Sequence, residues 1–160
     1  VTGMALGENS LYETLINEAT VLFRGANYTH EVDTIKELDN FVSINSAIEV
    51  DLFGQVNSEF AGGKQLSGTG GAVDFMRAAK TSSGGRSIIA MNATAKGGKK
   101  SKIVPKVEMV TALRTDVDIV VTEFGVARIK DLPVKGRGRA LVEVAAPEFR
   151  DELLADPLFD

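Results

Sequence analysis

Two short apolar runs, Ile88 to Met91 within "RSIIAMNAT" at 86–94 and Ile119 to Val121 within "DVDIVVTEFG" at 116–125, restrict what this chain can fold into. In a strand, neighbouring side chains point to opposite faces, so a run apolar at every position is suited to burial on both sides. Such strands belong to sheets inside α/β proteins rather than to one-sided hairpins. The segments around them supply the other half of that architecture. "AVDFMRAAKTS" at 72–82 has helical spacing, as does the run from Pro133 through Ala145, and Pro147 stands where a helix can begin because its missing N–H would have no helical partner. "FVSINSAIEVDLFGQVNS" at 41–58 reads as strands folded into a hairpin about Gly54, and Pro105 restricts "SKIVPKV" to an edge. Near the N-terminus, "VTGMALG" and "TVLFRGANY" read as strands. Ser10 with Glu13 has the form of a capping box opening a helix over 10–18, with Leu11, Leu15 and Ile16 on its buried face. Val32, Ile35 and Leu38 mark a second short helix. Alternating strands and helices, some strands joined as hairpins, predict an α/β chain with a mixed sheet.

At 160 residues this is one domain with a substantial core. The absence of cysteine removes disulfides, thiolate metal sites and thiol nucleophiles, and a single histidine rules out a cluster of imidazole ligands, so no metal site is expected. Chemistry must rest on carboxylates, hydroxyls, cations and backbone amides. A formal charge of −4 argues against nucleic acid as the principal partner, despite the basic patch "KGGKKSK" at 96–102. No apolar run is long enough to span a bilayer and "VTGMALGENS" lacks the basic flank and long apolar core of a secretory signal, so a cytoplasmic location without a membrane partner is expected. The chain begins at Val1 inside an apolar segment, which reads as a fragment of a longer polypeptide.

Several residues are candidates for a site. Glu123 follows a buried strand, at the carboxyl end where open α/β sheets bind ligands; capping a helix or pairing with a lysine is the competing role. "LSGTGGAVDF" at 66–75 places Gly68, Gly70 and Gly71 ahead of a helix, either as backbone donors for a phosphate or oxyanion or as a tight turn requiring positive φ. It matches neither the dinucleotide fingerprint nor the nucleotide-triphosphate loop. Glu49 and Asp51, two apart on a strand, share a face, and a solvated hairpin face is the favoured reading. His30 reads as a surface histidine with a ligand contact as the alternative.

In order along the chain, "VTGMALG", "SINSAIEVDLFGQVNSE", "SGTGGAVDF", "GGRSIIAMNATAKGG", "SKIVP", "VTEFGVARI" and "RALVEVAAPEFRDEL" resemble the C-terminal region of the acetyl-CoA hydrolase/transferase family, the family I CoA-transferases. The resemblance implies an open α/β/α sandwich with a mixed sheet, shared by CoA-transferases and sugar-phosphate isomerases, and a related N-terminal domain lying upstream. It implies coenzyme A or acyl-CoA as a substrate rather than a tightly bound cofactor, a small carboxylate as the second substrate, and a homo-oligomer. The family's nucleophilic glutamate lies upstream of "VTGMALG", so no residue here takes that role.

By the same resemblance, Gly71 corresponds to a backbone donor of the oxyanion and thioester pocket, with Gly68 and Gly70 lining the CoA site. Glu123 corresponds to an auxiliary active-site glutamate. His30 falls where the family commonly has an asparagine that contacts CoA, and Ala146 stands where it usually has histidine. Three functions remain open at this point: CoA transfer to a carboxylate, acyl-CoA hydrolysis, and a non-catalytic CoA-binding or assembly module.

Overall fold

The two apolar runs become neighbouring strands at the centre of a four-stranded sheet. The computed structural model describes residues 1–160. In chain order the elements are α1 (Asn9–Asn17), α2 (Ala26–Thr29), α3 (Val32–Ile35), β1 (Val42–Asn45), β2 (Glu49–Asp51), β3 (Val56–Asn57), β4 (Phe60–Ala61), β5 (Lys64–Gln65) and α4 (Ala72–Thr81). There follow β6 (Arg86–Ala90), β7 (Thr94–Ala95), β8 (Lys100–Ser101), β9 (Ile103–Val104), β10 (Ile119–Thr122), β11 (Gly125–Arg128), α5 (Val134–Glu143), α6 (Pro147–Leu154) and a closing 3-10 turn. No helix is long and apolar enough to cross a membrane.

The main sheet has the order β1-β6-β10-β11, with β1, β6 and β10 parallel and β11 antiparallel at the edge. This is the mixed α/β arrangement expected from the sequence. One row of paired residues, Asn45–Ile89–Val120–Ala127, carries the core face. Ile89 and Val120 are fully buried and join Met76 of α4 and Leu141 and Val142 of α5 in one apolar cluster. Each such side chain contributes about 1.5–3 kcal/mol through burial. The α4 helix packs on β1 and β6, and α5 packs on β11. The opposite face of the sheet is more open: Ile44 is 66% exposed and Val126 55%.

A smaller sheet, β3-β2-β9, is built around the predicted hairpin, whose turn contains Gly54 at φ 89°. It is held by Asp51, which is fully buried. Its Oδ1 accepts the Phe53 and Gln55 N–H groups at 3.1 and 2.9 Å, and its Oδ2 accepts Gln55 Nε2 at 2.9 Å and the Val107 N–H at 3.3 Å. Glu49 instead reaches Lys100 Nζ at 2.6 Å. The two carboxylates therefore serve as a structural strut and an ion pair, and they do not act as a catalytic couple.

The N-terminal third departs most from expectation. A single parallel bridge, Thr2 to Phe23, replaces the two anticipated strands. The α1 helix forms at Asn9–Asn17 without the capping box, because Ser10 lies inside the first turn, where its carbonyl accepts the Thr14 hydroxyl at 2.8 Å. None of its residues is buried, and Ile16 is 81% exposed. Of the residues expected on the buried side of the second helix, Ile35 of α3 is buried, whereas α3 ends there and Leu38 lies beyond it, exposed.

Replacing Asp51 by Ala strands four donors in a dry site and is expected to cost more than about 3 kcal/mol. Asp51→Asn keeps one acceptor oxygen but turns an amide toward other donors, so an intermediate loss is expected. Urea unfolding of the two variants checks both the size and the order of these effects.

Candidate functional site

The parallel strands end together, so the segments leaving β1, β6 and β10 gather at one carboxyl edge. The four-residue turn from α4 into β6 lies at the other edge, where Arg86 N–H donates to Phe41 O at 3.0 Å and Ser82 Oγ accepts the Phe41 N–H at 3.1 Å. Because α4 packs back along β6, its N-terminus lies at the carboxyl edge. Chain direction alone thus carries the glycine loop and Glu123 to the same end of the sheet.

Glycine is required within that loop for two different reasons. Gly70 adopts φ 59°, the left-handed region that side chains with a Cβ avoid, and has open space around it. Gly71 has φ −97° and ψ 10°, which other residues adopt, but a Cβ built there falls 2.1 Å from His30 Cδ2. Gly68 faces open space with neither constraint. The N–H groups of Gly70 and Gly71 donate to no protein acceptor. Gly71 is the N-cap residue of α4, so its amide points out of the helix end with the favourable end of the helix dipole behind it.

His30, 41 positions upstream, closes over this loop. Its Nδ1 lies 2.9 Å from Thr29 Oγ1, and its ring packs against Phe75 of α4 with centroids 4.6 Å apart and planes tilted by 43°. The contact with Gly71 and Phe75 makes His30 part of the loop's surroundings and not an isolated surface residue. His30, Phe75 and Phe41 also line a cavity of about 880 Å³ whose far wall is the Thr2–Met4 segment.

Glu123 stands in the turn between β10 and β11. Its Oε2 accepts the Ala93 N–H at 2.8 Å, from the segment that follows β6. The turn is fixed from below by Thr122, whose hydroxyl donates to Val144 O at 2.6 Å and accepts the Phe124 N–H at 3.1 Å. Glu123 itself is exposed and caps no helix, and no hydrogen bond joins it to Gly71 or His30.

One member of this edge escaped the sequence reading. Lys102, half-buried, lies close enough to both Glu123 and Glu49 to feel their charge. Burial lowers its pKa below the ordinary lysine range, and the two glutamates partly restore it. Its backbone N–H donates to Ala93 O at 2.8 Å, so Ala93 holds Lys102 and Glu123 from its two backbone groups. The only signal in the sequence was a lysine within "KGGKKSK", where it is indistinguishable from its solvated neighbours.

The sequence matches the family described as the acetyl-CoA hydrolase/transferase C-terminal domain over residues 7–156. It is 45% identical over 157 residues to the 4-hydroxybutyrate coenzyme A transferase of Clostridium kluyveri, covering 96% of this chain and 37% of that protein. It is 42% identical over 156 residues to the succinyl-CoA:cyclohexane-1-carboxylate CoA transferase of Geobacter metallireducens, covering 96% of this chain and 36% of that one. The crystal structure of RipA from Yersinia pestis superposes with a TM-score of 0.88 at 42% identity, over 92% of this chain and 34% of that one. The chain thus spans little more than a third of the curated relatives it matches.

Two measurements check this geometry. Gly71→Ala is expected to destabilise the fold by about 1–3 kcal/mol by displacing the His30 ring. In His30→Ala the same change should cost at least about 1 kcal/mol less, a coupling that a double-mutant cycle in urea reads directly. In an NMR titration of lysine Nζ groups, Lys102 should lose its proton before Lys36, whose pKa Asp33 raises. Glu123→Gln should shift the Lys102 midpoint further down. Since the folded pKa of Lys102 lies below its unfolded value, stability should rise as pH climbs from the first toward the second.

Proposed function

The chain belongs to the acetyl-CoA hydrolase/transferase C-terminal domain family, and on that premise we propose that residues 1–160 form the C-terminal domain of an acyl-CoA:carboxylate CoA-transferase. In this reading a glutamate upstream of Val1, carried by the preceding part of the protein, is the nucleophile. Its carboxylate attacks the acyl-CoA carbonyl and the thiolate leaves, giving an acyl-glutamyl anhydride. The thiolate then attacks the glutamyl carbonyl, releasing the first carboxylate and leaving a glutamyl-CoA thioester. A second carboxylate reverses the sequence and departs as the new acyl-CoA. The glutamyl-CoA thioester lies close in energy to the acyl-CoA substrate and product, so little free energy is lost between half-reactions.

The observation that best supports this reading is the free Gly71 amide at the N-terminus of α4, held under His30 on the sheet edge that also carries Glu123. A backbone donor matters most where negative charge develops on a carbonyl oxygen, as it does in every step above. Gly68 and Gly70 keep the approach to that amide unobstructed, since neither has protein atoms within 4 Å of a built Cβ. Glu123 presents its second carboxylate oxygen toward solvent, where it can orient an incoming carboxylate or water. Lys102 offsets part of its charge.

Hydrolysis is the second reading, favoured by the family's description, which names both activities. The two differ only in whether water or a carboxylate resolves the glutamyl-CoA. The names of the relatives cover acyl groups as different as 4-hydroxybutyrate and cyclohexane-1-carboxylate, and in this reading the residues around the acyl pocket come partly from the remaining part of the enzyme.

Coenzyme A titrated into the isotopically labelled chain should shift the amides of Gly68 to Asp74 and of Glu123, with equimolar ADP as the control. Shifts common to both ligands, or none that saturate, would refute CoA binding by this edge alone. In the intact enzyme Glu123→Gln should lower kcat roughly 10²-fold. Turnover that is unchanged when the carboxylate acceptor is omitted would assign hydrolysis.

A further inference from the structure

The opposite, amino end of the main sheet carries a cleft that CoA chemistry at the carboxyl edge does not use. Its cavity of about 460 Å³ is lined by four cations, Lys80, Arg86, Arg128 and Lys130, against one carboxylate, Asp118. The chain as a whole is acidic, with a net charge of −4, so this local excess runs against its composition. Ile119 is the one apolar residue in the lining.

The fold brings these charges together from three places. Lys80 lies in the last turn of α4 and Arg86 opens β6, on either side of the Gly84–Gly85 turn. Arg128 ends β11 opposite Ile119 in register, and Lys130 follows two residues on, pointing to the same side because buried Ile129 points to the other. Asp118 is 4% exposed and already accepts the Ser87 N–H at 3.0 Å, so it serves the sheet more than the cleft. Lys80 donates to Thr115 O, and Arg86 Nη1 donates to Gly84 O at 2.8 Å, which fixes its guanidinium while leaving other N–H groups free. The side chains of Arg128 and Lys130 form no hydrogen bond or ion pair within the protein, whereas the Lys130 N–H donates to Asp118 O at 3.1 Å. Gly85 has a packing explanation, since a Cβ there would lie 2.1 Å from Ala79 O, and it is not counted toward a ligand.

Four cations held in one concavity repel one another, and an anion that spans them removes that cost. Guanidinium forks favour the paired oxygens of phosphate groups, and a polar lining with three surplus positive charges suits two linked phosphates better than a carboxylate. We propose that this cleft is a binding site for a diphosphate group, formed by Arg86, Arg128, Lys130 and Lys80 at the amino end of the sheet. The diphosphate could be free or part of a nucleotide, and these sources share the chemistry that the cleft recognises.

The test is an NMR titration of the labelled chain with inorganic pyrophosphate, with sodium sulfate at matched ionic strength as control and ADP and coenzyme A as separate arms. Saturable shifts at Gly84, Gly85, Ser87 and residues 128–130 are expected with pyrophosphate and not with sulfate. The double variant Arg128→Gln, Lys130→Gln should weaken binding at least tenfold. Both side chains are exposed and unpaired, so its urea midpoint should match the parent's. Cleft shifts with ADP as well would identify a nucleotide as the source, and shifts with pyrophosphate alone would identify the free anion. The proposal is overturned if pyrophosphate does not saturate, if sulfate reproduces its shifts, if the variant binds as tightly as the parent, or if the shifts fall at Gly68–Asp74. Coenzyme A shifts at the carboxyl edge are read independently, so either site can fail without the other.

Discussion

The row Asn45–Ile89–Val120–Ala127 is the constraint on which the rest of the structure depends. Parallel strands have no tight turn to fix how they align, so their register comes from the side chains that must be buried together. A slip of one residue would turn Ile89 and Val120 to the open face and bring Ile88 and Val121 inward. The aligned register brings the carboxyl ends of β1, β6 and β10 to one edge. From that alignment follow the meeting of Ala93 with Glu123 and the return of α4 with its free amides beside them. The site is in this sense a by-product of how the core packs.

The parts of the fold legible in the sequence were those set by neighbours along the chain. The central strands were written in "SIIAM" and "DIVV", the helix α6 in Pro147, and the hairpin in Gly54, whose positive φ a turn of this kind needs. What was illegible depended on partners far away in sequence. Strand spacing put Glu49 and Asp51 on one face, but only the folded chain shows that Lys100 takes the first and the Val107 amide the second. His30 looked solitary because the groups that explain it, Gly71 and Phe75, lie more than 40 positions on. The N-terminal expectations failed for another reason. Ser10 and Glu13 have the right spacing, but a cap also needs the chain to enter the helix at that serine, and it enters two residues earlier.

The carboxylates divide by depth, and their depth decides their use. Asp51 and Glu59 are buried, and both oxygens of each are taken up by backbone amides, Gln55, Gln65 or Thr111. Charges so satisfied stiffen loops and leave nothing over for a substrate. Glu123 keeps an oxygen free at the surface while a single amide steadies it. A firm frame with one unspent acceptor suits a side chain that must meet a ligand without being reshaped by it.

The turn that carries Glu123 is only two residues long, between Thr122 and Gly125, which pair directly. Beyond it the chain alternates strictly, with Ala127 and Ile129 inside and Arg128 and Lys130 outside. One residue inserted after Val126 and not absorbed as a bulge would reverse that alternation, sending two cations toward the core and two apolar side chains into water. Loops at the ends of sheets are ordinarily where a protein family changes length most freely. Length change therefore costs least in the turn at Glu123 and most in the strand behind it, where the face each side chain takes is fixed by its neighbours.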